Sequence, residues 1–286
     1  PSTGQTDCLD ADAGYYVDST QATSQTACSI GTYQPSTAQS SCLDADVGHY
    51  VDSTGSSTQT ACLIGTYQPS TGQSSCLDAA AGYYVDSTGS NSQTECAVGT
   101  YQPSTGQSSC LDADAGYYVD SIGSDSQTEC AVGTYQPSTG QTDCLDSDAG
   151  YYVDSTQATS QTPCSLGNYQ SLIGQSSCLD SDAGYYVDST QATSQTIAPY
   201  NSYTDSNSSI SPTLCSEFYI TLSEGSTSID DCLLDSDSDG IIDSEDDDDD
   251  GDGIDDIIDL CPLGEMGWTS FSWNDFDADG CEDETE

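Results

Sequence analysis

The stretch Cys28–Ala61 reads CSIGTYQPSTAQSSCLDADVGHYVDSTGSSTQTA, and Cys62 begins the same pattern again. Further copies begin at Cys96, Cys130 and Cys164, so the repeat length is 34 residues. A fixed period of this size indicates stacked supersecondary units rather than a single globular core. The sequence therefore predicts a tandem-repeat array.

Each repeat is rich in Gly, Ser, Thr, Tyr and Val and has no apolar stripe at helical spacing. Tetratricopeptide repeats share the 34-residue period, but this composition argues against their helices. Short strands are predicted at 31–34 and 48–52, with Gly and Ser-Thr segments turning the chain between them. We expect an all-β, disulfide-stapled rod in residues 1–197, a connector with one strand and a disulfide in 198–234, and a loop-rich calcium-binding module in 235–286.

A shorter period lies inside the repeat, because the pattern C-x-x-G-x-Y at residues 28–33 returns 17 residues later as A-x-x-G-x-Y at residues 45–50. On the same shift Cys42 corresponds to Gln59, so one half-unit carries two cysteines and the other carries none. Because the two cysteines are present or absent together, we predict that they pair within a half-unit.

The predicted array disulfides are Cys28–Cys42, Cys62–Cys76, Cys96–Cys110, Cys130–Cys144 and Cys164–Cys178. The alternative pairing, Cys8–Cys28 and its equivalents, leaves Cys178 without an in-phase partner. Each bridge closes a loop of about 15 residues and contributes roughly 3 kcal/mol in the chain-entropy model, which substitutes for a core in so small a unit. We also expect Cys215–Cys232 and Cys261–Cys281. The odd cysteine, Cys8, indicates an intermolecular bond or a truncated repeat.

The charge of the chain restricts its partners. It has 49 acidic residues and neither lysine nor arginine, so its formal net charge is −49. Nucleic acid and anionic membranes would repel such a surface, so neither is an expected partner. Fifteen cysteines indicate an oxidising compartment, and no apolar run approaches the roughly 18 residues of a membrane span, so we expect a secreted or cell-surface protein. An enzyme is not expected, because His49 is the only histidine and no nucleophile or phosphate-loop motif occurs.

The strongest chemical signal is the pattern D-x-D-x-D-G-x-x-D-x-x-D, which occurs in three copies within residues 235–286. Positions 1, 3, 5, 9 and 12 supply carboxylate oxygens, position 7 supplies a backbone carbonyl, and glycine at position 6 permits a sharp turn. Such oxygen ligands suit a hard cation, and we expect two to three Ca²⁺ ions. The predicted ligands are Asp235, Asp237, Asp239, Ile241, Asp243 and Asp246; then Asp248, Asp250, Asp252, Ile254, Asp256 and Asp259; then Asp275, Asp277, Asp279, Cys281, Asp283 and Glu286.

The alternative for this segment is an acidic, disordered tail, since runs of like charge are usually solvated. The run Asp246–Asp250 alone would fit a tail, whereas the regular glycines and the position-7 isoleucines favour ligand loops. Trp268 and Trp273 are predicted to pack beneath the third loop rather than to form a binding surface.

Two weaker features lie nearer the N-terminus. The array repeats an acidic phrase, such as Asp10-x-Asp12 with Asp18, which is either a second class of calcium site or a set of solvated loop carboxylates. Ala80 interrupts this phrase in one copy, and we favour the solvated loops. Asn207 begins the single N-glycosylation sequon.

Three families have motifs similar to these. The phrase C-x-x-G-T-Y-x-P-S-T-G-Q-S-S-C resembles the cysteine-rich repeats of ephrin-receptor and tumour-necrosis-factor-receptor ectodomains over residues 8–197, and this resemblance implies an elongated extracellular rod. The acidic run, with its Asp-x-Cys-Pro ending, resembles thrombospondin type-3 repeats over residues 235–262. That resemblance implies a chain wrapped around a row of calcium ions, with five aspartates of each copy as ligands. The third copy departs from the pattern at Cys281 and Glu286.

Together these features predict an extracellular structural protein, a calcium-stabilised subunit of a surface fibre, filament or stalk that assembles head to tail with copies of itself. The alternative is a calcium-dependent adhesive ectodomain of a longer surface protein, which would recognise a glycan or another cell.

Overall fold

The computed structural model describes residues 8–263, 269–271, 274 and 280–281. In this part the chain forms 26 strands of two residues each and one 3₁₀-helix, Ile229–Asp231. Strands β1 to β26, in chain order, are Tyr15–Tyr16, Thr26–Ala27, Thr32–Tyr33, Leu43–Asp44, His49–Tyr50, Thr60–Ala61, Thr66–Tyr67, Leu77–Asp78, Tyr83–Tyr84, Thr94–Glu95, Thr100–Tyr101, Leu111–Asp112, Tyr117–Tyr118, Thr128–Glu129, Thr134–Tyr135, Leu145–Asp146, Tyr151–Tyr152, Thr162–Pro163, Asn168–Tyr169, Leu179–Asp180, Tyr185–Tyr186, Thr196–Ile197, Ser202–Tyr203, Thr213–Leu214, Tyr219–Ile220 and Leu233–Leu234. The all-β class is confirmed. Among the described residues, no helix has the length and apolar character that a membrane crossing requires.

The chain divides into two compact units. The first comprises Pro1–Ala131, Tyr135–Leu145 and Thr156–Ser160, and the second comprises Val132–Thr134, Asp146–Ser155 and Gln161–Glu286. In each unit consecutive strands pair antiparallel as short hairpins, such as β3 with β4 in the first unit and β21 with β22 in the second. Each hairpin from β1 to β24 lies within one 17-residue half-unit, so the short period of the sequence is also the period of these strands.

Within each unit, backbone hydrogen bonds join one half-unit to the next. In the first unit the N–H of Gly31 donates to the carbonyl of Val51 at 2.8 Å, and in the second unit the N–H of Gly167 donates to the carbonyl of Val187 at 2.9 Å. Since the same bond recurs every 17 residues within each unit, order passes along the unit mainly through the backbone.

The side chains buried inside the half-units are small. Cysteine fills the first position of one kind of half-unit and alanine or serine fills it in the other, and both Cys28 and Ala45 are fully buried. The seventh position buries a glutamine in the first kind and a valine in the second, as Gln34 and Val51 show. Gln34 Nε2 donates to the carbonyl of Ser41 at 2.8 Å, so this buried amide is hydrogen-bonded, as buried polar groups require.

In the repeats of the array, glycine at the fourth position is required by close packing. Gly31 has φ +85°, and an added Cβ would overlap the carbonyl oxygen of Gly72 in the following half-unit of the same kind. Neither the backbone conformation nor the space therefore admits a larger residue.

Seven disulfides occur in the described part of the chain. They are Cys28–Cys42, Cys62–Cys76, Cys96–Cys110, Cys130–Cys144, Cys164–Cys178, Cys215–Cys232 and Cys261–Cys281. These are the pairs that the sequence predicts, and the five bridges of the array recur every 34 residues.

In the half-units without cysteine, a glutamine–aspartate pair closes the loop instead. Gln59, which occupies the position of Cys42, accepts a hydrogen bond from the N–H of Asp46 at 2.7 Å and donates to its carboxylate at 2.6 Å. The same two bonds join Asp12 with Gln25, Asp114 with Gln127, Asp148 with Gln161, and Asp182 with Gln195. The second aspartate of each acidic phrase in the array therefore has a structural role.

Residues 198–234 continue the 17-residue period. The sequence predicts one strand here, but the structure has four, β23 to β26. The period is difficult to read because Asn201 and Phe218 replace the fourth-position glycine, whose positive φ they retain at 62° and 65°. The N–H of Gly225 donates to the carbonyl of Ala198 at 2.8 Å, which is the bond that earlier half-units make at the equivalent positions.

The glutamine–aspartate pair is incomplete at Ala80, whose N–H donates to Gln93 Oε1 at 2.8 Å but which has no carboxylate. We predict that Ala80→Asp stabilises the first unit by about 0.5 kcal/mol, the low end for a net hydrogen bond, because the pair is exposed. Urea denaturation followed by tyrosine fluorescence measures this change. Combining Ala80→Asp with Gln93→Ala completes a double-mutant cycle, and a stabilisation that persists without Gln93 would contradict the assignment.

Candidate metal centre

The first acidic loop folds around its own carboxylates. The N–H of Gly240 donates to Asp235 Oδ2 at 3.2 Å, and the N–H of Asp239 donates to Asp237 Oδ1 at 3.0 Å. The N–H of Ile241 in turn donates to Asp239 Oδ1 at 2.8 Å. These bonds curl the backbone so that one oxygen from each of the three aspartates lies within 4.8 Å of the others.

The second loop, 13 residues further on, repeats this arrangement. The N–H of Gly253 donates to Asp248 Oδ2 at 2.9 Å, and the N–H of Ile254 donates to Asp252 Oδ1 at 2.8 Å. Oxygens of Asp248, Asp250 and Asp252 also lie within 4.8 Å of one another. The structure therefore brings together positions 1, 3 and 5 of both loops, as the pattern predicts.

Several of these carboxylates are buried without a counter-charge. Asp235 is 2% exposed and Asp252 is fully buried, yet Asp235 Oδ1 and Asp252 Oδ2 have no hydrogen-bond partner. Asp259, at position 12 of the second loop, is 8% exposed, and its Oδ2 also has no partner. Burying a carboxylate is costly unless it is paired, and the sequence contains no lysine or arginine that could pair with it. A bound cation fits this set of oxygens.

Burial and mutual repulsion oppose ionisation in both loops. The pKa of Asp252 is raised to about 6, mainly by burial. The N–H of Ile254 lowers this pKa, and the charges of Asp250, Asp259 and Asp248 act in the same direction as burial. Burial also raises the pKa of Asp237 in the first loop, where neighbouring carboxylates act in the same direction. A divalent cation would stabilise the ionised form of each group.

Positions 9 and 12 are held differently from the first three. Asp243 accepts hydrogen bonds from the N–H and the hydroxyl of Ser236, both at 2.8 Å. Asp256 Oδ1 accepts from the N–H of Asp249 at 3.0 Å. Position 9 thus caps position 2 of its own loop and lies outside the two close groups.

The predicted ligand at position 12, Asp246 or Asp259, accepts a bond from the N–H two residues later. Asp246 Oδ1 accepts from Asp248 at 3.1 Å, and Asp259 Oδ1 accepts from Cys261 at 2.7 Å. One oxygen of each carboxylate therefore shapes the chain. The other oxygen of Asp259 is the buried, unpartnered Oδ2.

One acidic residue outside the predicted ligand set shares this environment. Asp249 has a buried Oδ1 without a hydrogen-bond partner. Its pKa is raised to about 6, chiefly by burial and next by the charge of Asp256. The ligand pattern treats position 2 as variable, and the first loop has Ser236 there, so the sequence motif contains no signal for it.

The third predicted loop is described only in part. Cys281 forms its disulfide with Cys261, and the backbone of Gly280 lies so close to Asp259 that an added Cβ would overlap the carboxylate. The remaining predicted ligands, Asp275, Asp277, Asp279, Asp283 and Glu286, lie outside the described residues, as do Trp268 and Trp273.

The other predicted sites are at the surface. Asn207 is exposed in a turn of the second unit, and Cys8 is exposed as a free thiol in the first. Glycosylation of Asn207 and an intermolecular bond at Cys8 both remain predictions.

The comparison with known families concerns the array. A family model described as tyrosine-protein kinase ephrin type A/B receptor-like matches residues 48–96, 82–130 and 116–164, in steps of one 34-residue repeat. These tandem repeats are similar to ephrin-receptor-like cysteine-rich repeats, which fits an extracellular, ectodomain-like protein. No curated protein matches the chain. The match does not extend to residues 235–262, so the thrombospondin type-3 resemblance stays a prediction.

If cations neutralise the buried carboxylates, Asp252→Asn should have opposite effects with and without calcium. In chelator the variant should unfold at a higher temperature than the wild type, because a buried, uncompensated charge is removed. In calcium it should bind about tenfold more weakly, a loss of about 1.4 kcal/mol, because one ligand oxygen loses its charge.

Scanning calorimetry and calcium titration measure both effects. Asp255→Asn is the matched control, because Asp255 is exposed and belongs to neither close group. Equal responses of the two variants to calcium would rule out a cation at Asp252.

Proposed function

We propose that this chain is an extracellular structural protein, a calcium-stabilised subunit of a surface fibre, filament or stalk that assembles head to tail with further copies. The ephrin-receptor-like repeats support the extracellular class. The observation that carries the calcium requirement is the pair of buried, unpartnered carboxylate oxygens at Asp235 and Asp252 in a chain without lysine or arginine.

Calcium is the cation that the ligand chemistry favours. Hard oxygen ligands select Ca²⁺, Mg²⁺ or Mn²⁺ over metals that prefer nitrogen or sulfur. Ca²⁺ accepts about six to eight oxygens in flexible geometry, whereas Mg²⁺ demands a near-ideal octahedron and retains several waters. Loops that offer three clustered carboxylates, to which the motif adds the predicted backbone carbonyls of Ile241 and Ile254, suit the larger ion. Two ions are expected in residues 235–259. The third predicted loop, residues 275–286, would bind one more.

Self-association is supported by the way in which the array is built. Within each unit, every half-unit offers the next one the same backbone donors and acceptors, as the bond from Gly48 to Gln68 illustrates. A second copy could extend such a ladder without new chemistry, and heterologous contacts of this kind lead to open filaments. Because each copy is strongly acidic, bound cations would reduce the repulsion between copies.

Electron microscopy of the purified chain tests the assembly proposal. We expect filaments in millimolar calcium, and we expect them to fray or dissociate in excess chelator. Chelator with about 0.5 M sodium chloride is the control, since salt screens surface repulsion but does not fill a ligand cage. Single particles under all three conditions would contradict assembly.

A groove in the second unit favours the second candidate function, a calcium-dependent adhesive ectodomain. Tyr203, Leu214, Tyr219 and Ile229 line a groove of about 480 Å³ beside Cys215–Cys232. Leu214 is 74% exposed, so apolar surface is available to a ligand. Binding of the monomeric chain to a glycan array in calcium, with loss of binding in Tyr219→Ala, would favour this function over a filament subunit.

A further inference from the structure

The second acidic loop contains a glycine that the ligand pattern does not require. Gly251 is at position 4, two residues before the turn glycine Gly253, and the equivalent residue of the first loop is Ser238. Gly251 and Ser238 have the same left-handed backbone, with φ 69° and 66°. Since Ser238 adopts this conformation with a side chain, the turn alone does not explain the glycine.

The space around Gly251 does explain it. An added Cβ at Gly251 would lie 2.6 Å from Asp237 Oδ2 and 3.2 Å from the Cβ of Asp237. The carboxylate of Asp237, a member of the first close group, therefore rests on the backbone of the second loop. By contrast, Gly240 and Gly253 have nothing within 4 Å of an added Cβ, so those glycines are needed only for the turn.

A second contact ties the two loops together. Asp246, the last predicted ligand of the first loop, accepts a hydrogen bond from the N–H of Asp248, the first predicted ligand of the second, at 3.1 Å. Both contacts join ligands of the first loop to the backbone of the second. The first site therefore depends on residues outside its own sequence motif.

We propose that Gly251 is a positioning residue for the first cation site: by leaving room for the carboxylate of Asp237, the folded second loop completes the ligand cage of the first. This inference rests on the proposed cation binding. It also predicts that the two ions bind cooperatively, because whatever orders the second loop orders Asp237, and such coupling is reciprocal.

The test is calcium titration by calorimetry of the full chain, with Gly251→Ala as the variant. The added methyl group displaces Asp237, so the affinity of the first site for its ion should fall at least tenfold. Asp237→Ala removes the group that is displaced, so adding Gly251→Ala to it should cause little further loss. Gly253→Ala is the matched control, because it adds a methyl group at positive φ in the same loop without meeting Asp237. Its coupling to Asp237→Ala should be weaker than that of Gly251→Ala, because it reaches Asp237 only through the folding of the second loop.

The outcomes separate the two proposals. No calcium binding by the wild type would overturn the proposed cation sites and this inference with them. Binding by the wild type with equal, additive effects of Gly251→Ala and Gly253→Ala would overturn this inference alone. Gly251→Ser, which introduces the residue of the first loop, provides a second variant if Gly251→Ala disrupts folding. Gly251→Ser should weaken binding of the same ion, the one at the first site.

Discussion

No basic side chain is available to neutralise a carboxylate anywhere in this chain, since 49 acidic residues are accompanied by no lysine and no arginine. Ion pairs between side chains, which most acidic surfaces use, are therefore excluded apart from those that His49 could form. In the array, carboxylates lie at the surface and form hydrogen bonds with neutral groups, for example Asp46 with Gln59. The acidic loops instead bury carboxylates that each keep one oxygen without a hydrogen-bond partner, as at Asp235 and Asp252. This contrast is the basis for assigning the cations to the loops.

The array replaces a hydrophobic core with covalent and backbone connections. Its buried side chains are mostly Cys, Ala, Val and Gln, which supply little apolar area for each 17-residue half-unit. Within each unit, backbone hydrogen bonds between successive half-units provide part of the rest. A closure of the loop inside the half-unit adds to them, although at Ala80 this closure lacks the carboxylate. This closure is a disulfide in one kind of half-unit and a glutamine–aspartate pair in the other. Because position 15 makes this bond in both kinds, Cys42 and Gln59 close the loop of their half-unit in two different ways.

The sequence alone predicted the features that repetition makes visible. Five copies of one cysteine pair, absent together from the alternate half-units, were enough to give the array disulfides. The role of Gln59 was not predicted, because the sequence shows only that a cysteine is missing there. The sequence predicts only one of the four strands of residues 198–234. Asn201 and Phe218 replace the periodic glycine there, although they keep its backbone conformation.

In the acidic loops, the ligand motif located positions 1, 3 and 5 but could not show which oxygens are engaged elsewhere. Asp243 has the type and spacing of a ligand, yet both of its oxygens accept bonds from Ser236. Gly251 carries no signal in the motif, because its role comes from Asp237 in the neighbouring loop. Contacts between motifs depend on tertiary packing and are therefore absent from a pattern that is read one loop at a time.

The most direct test of the account is amide hydrogen exchange by NMR in calcium and in chelator. The N–H groups of Gly240 and Gly253, which donate to Asp235 and Asp248, should exchange slowly in calcium and at least tenfold faster in chelator. The N–H of Gly31, bonded within the array, should be protected equally in both. Equal protection of Gly240 and Gly253 with and without calcium would show that the loops hold their buried carboxylates without a cation, and would contradict the account.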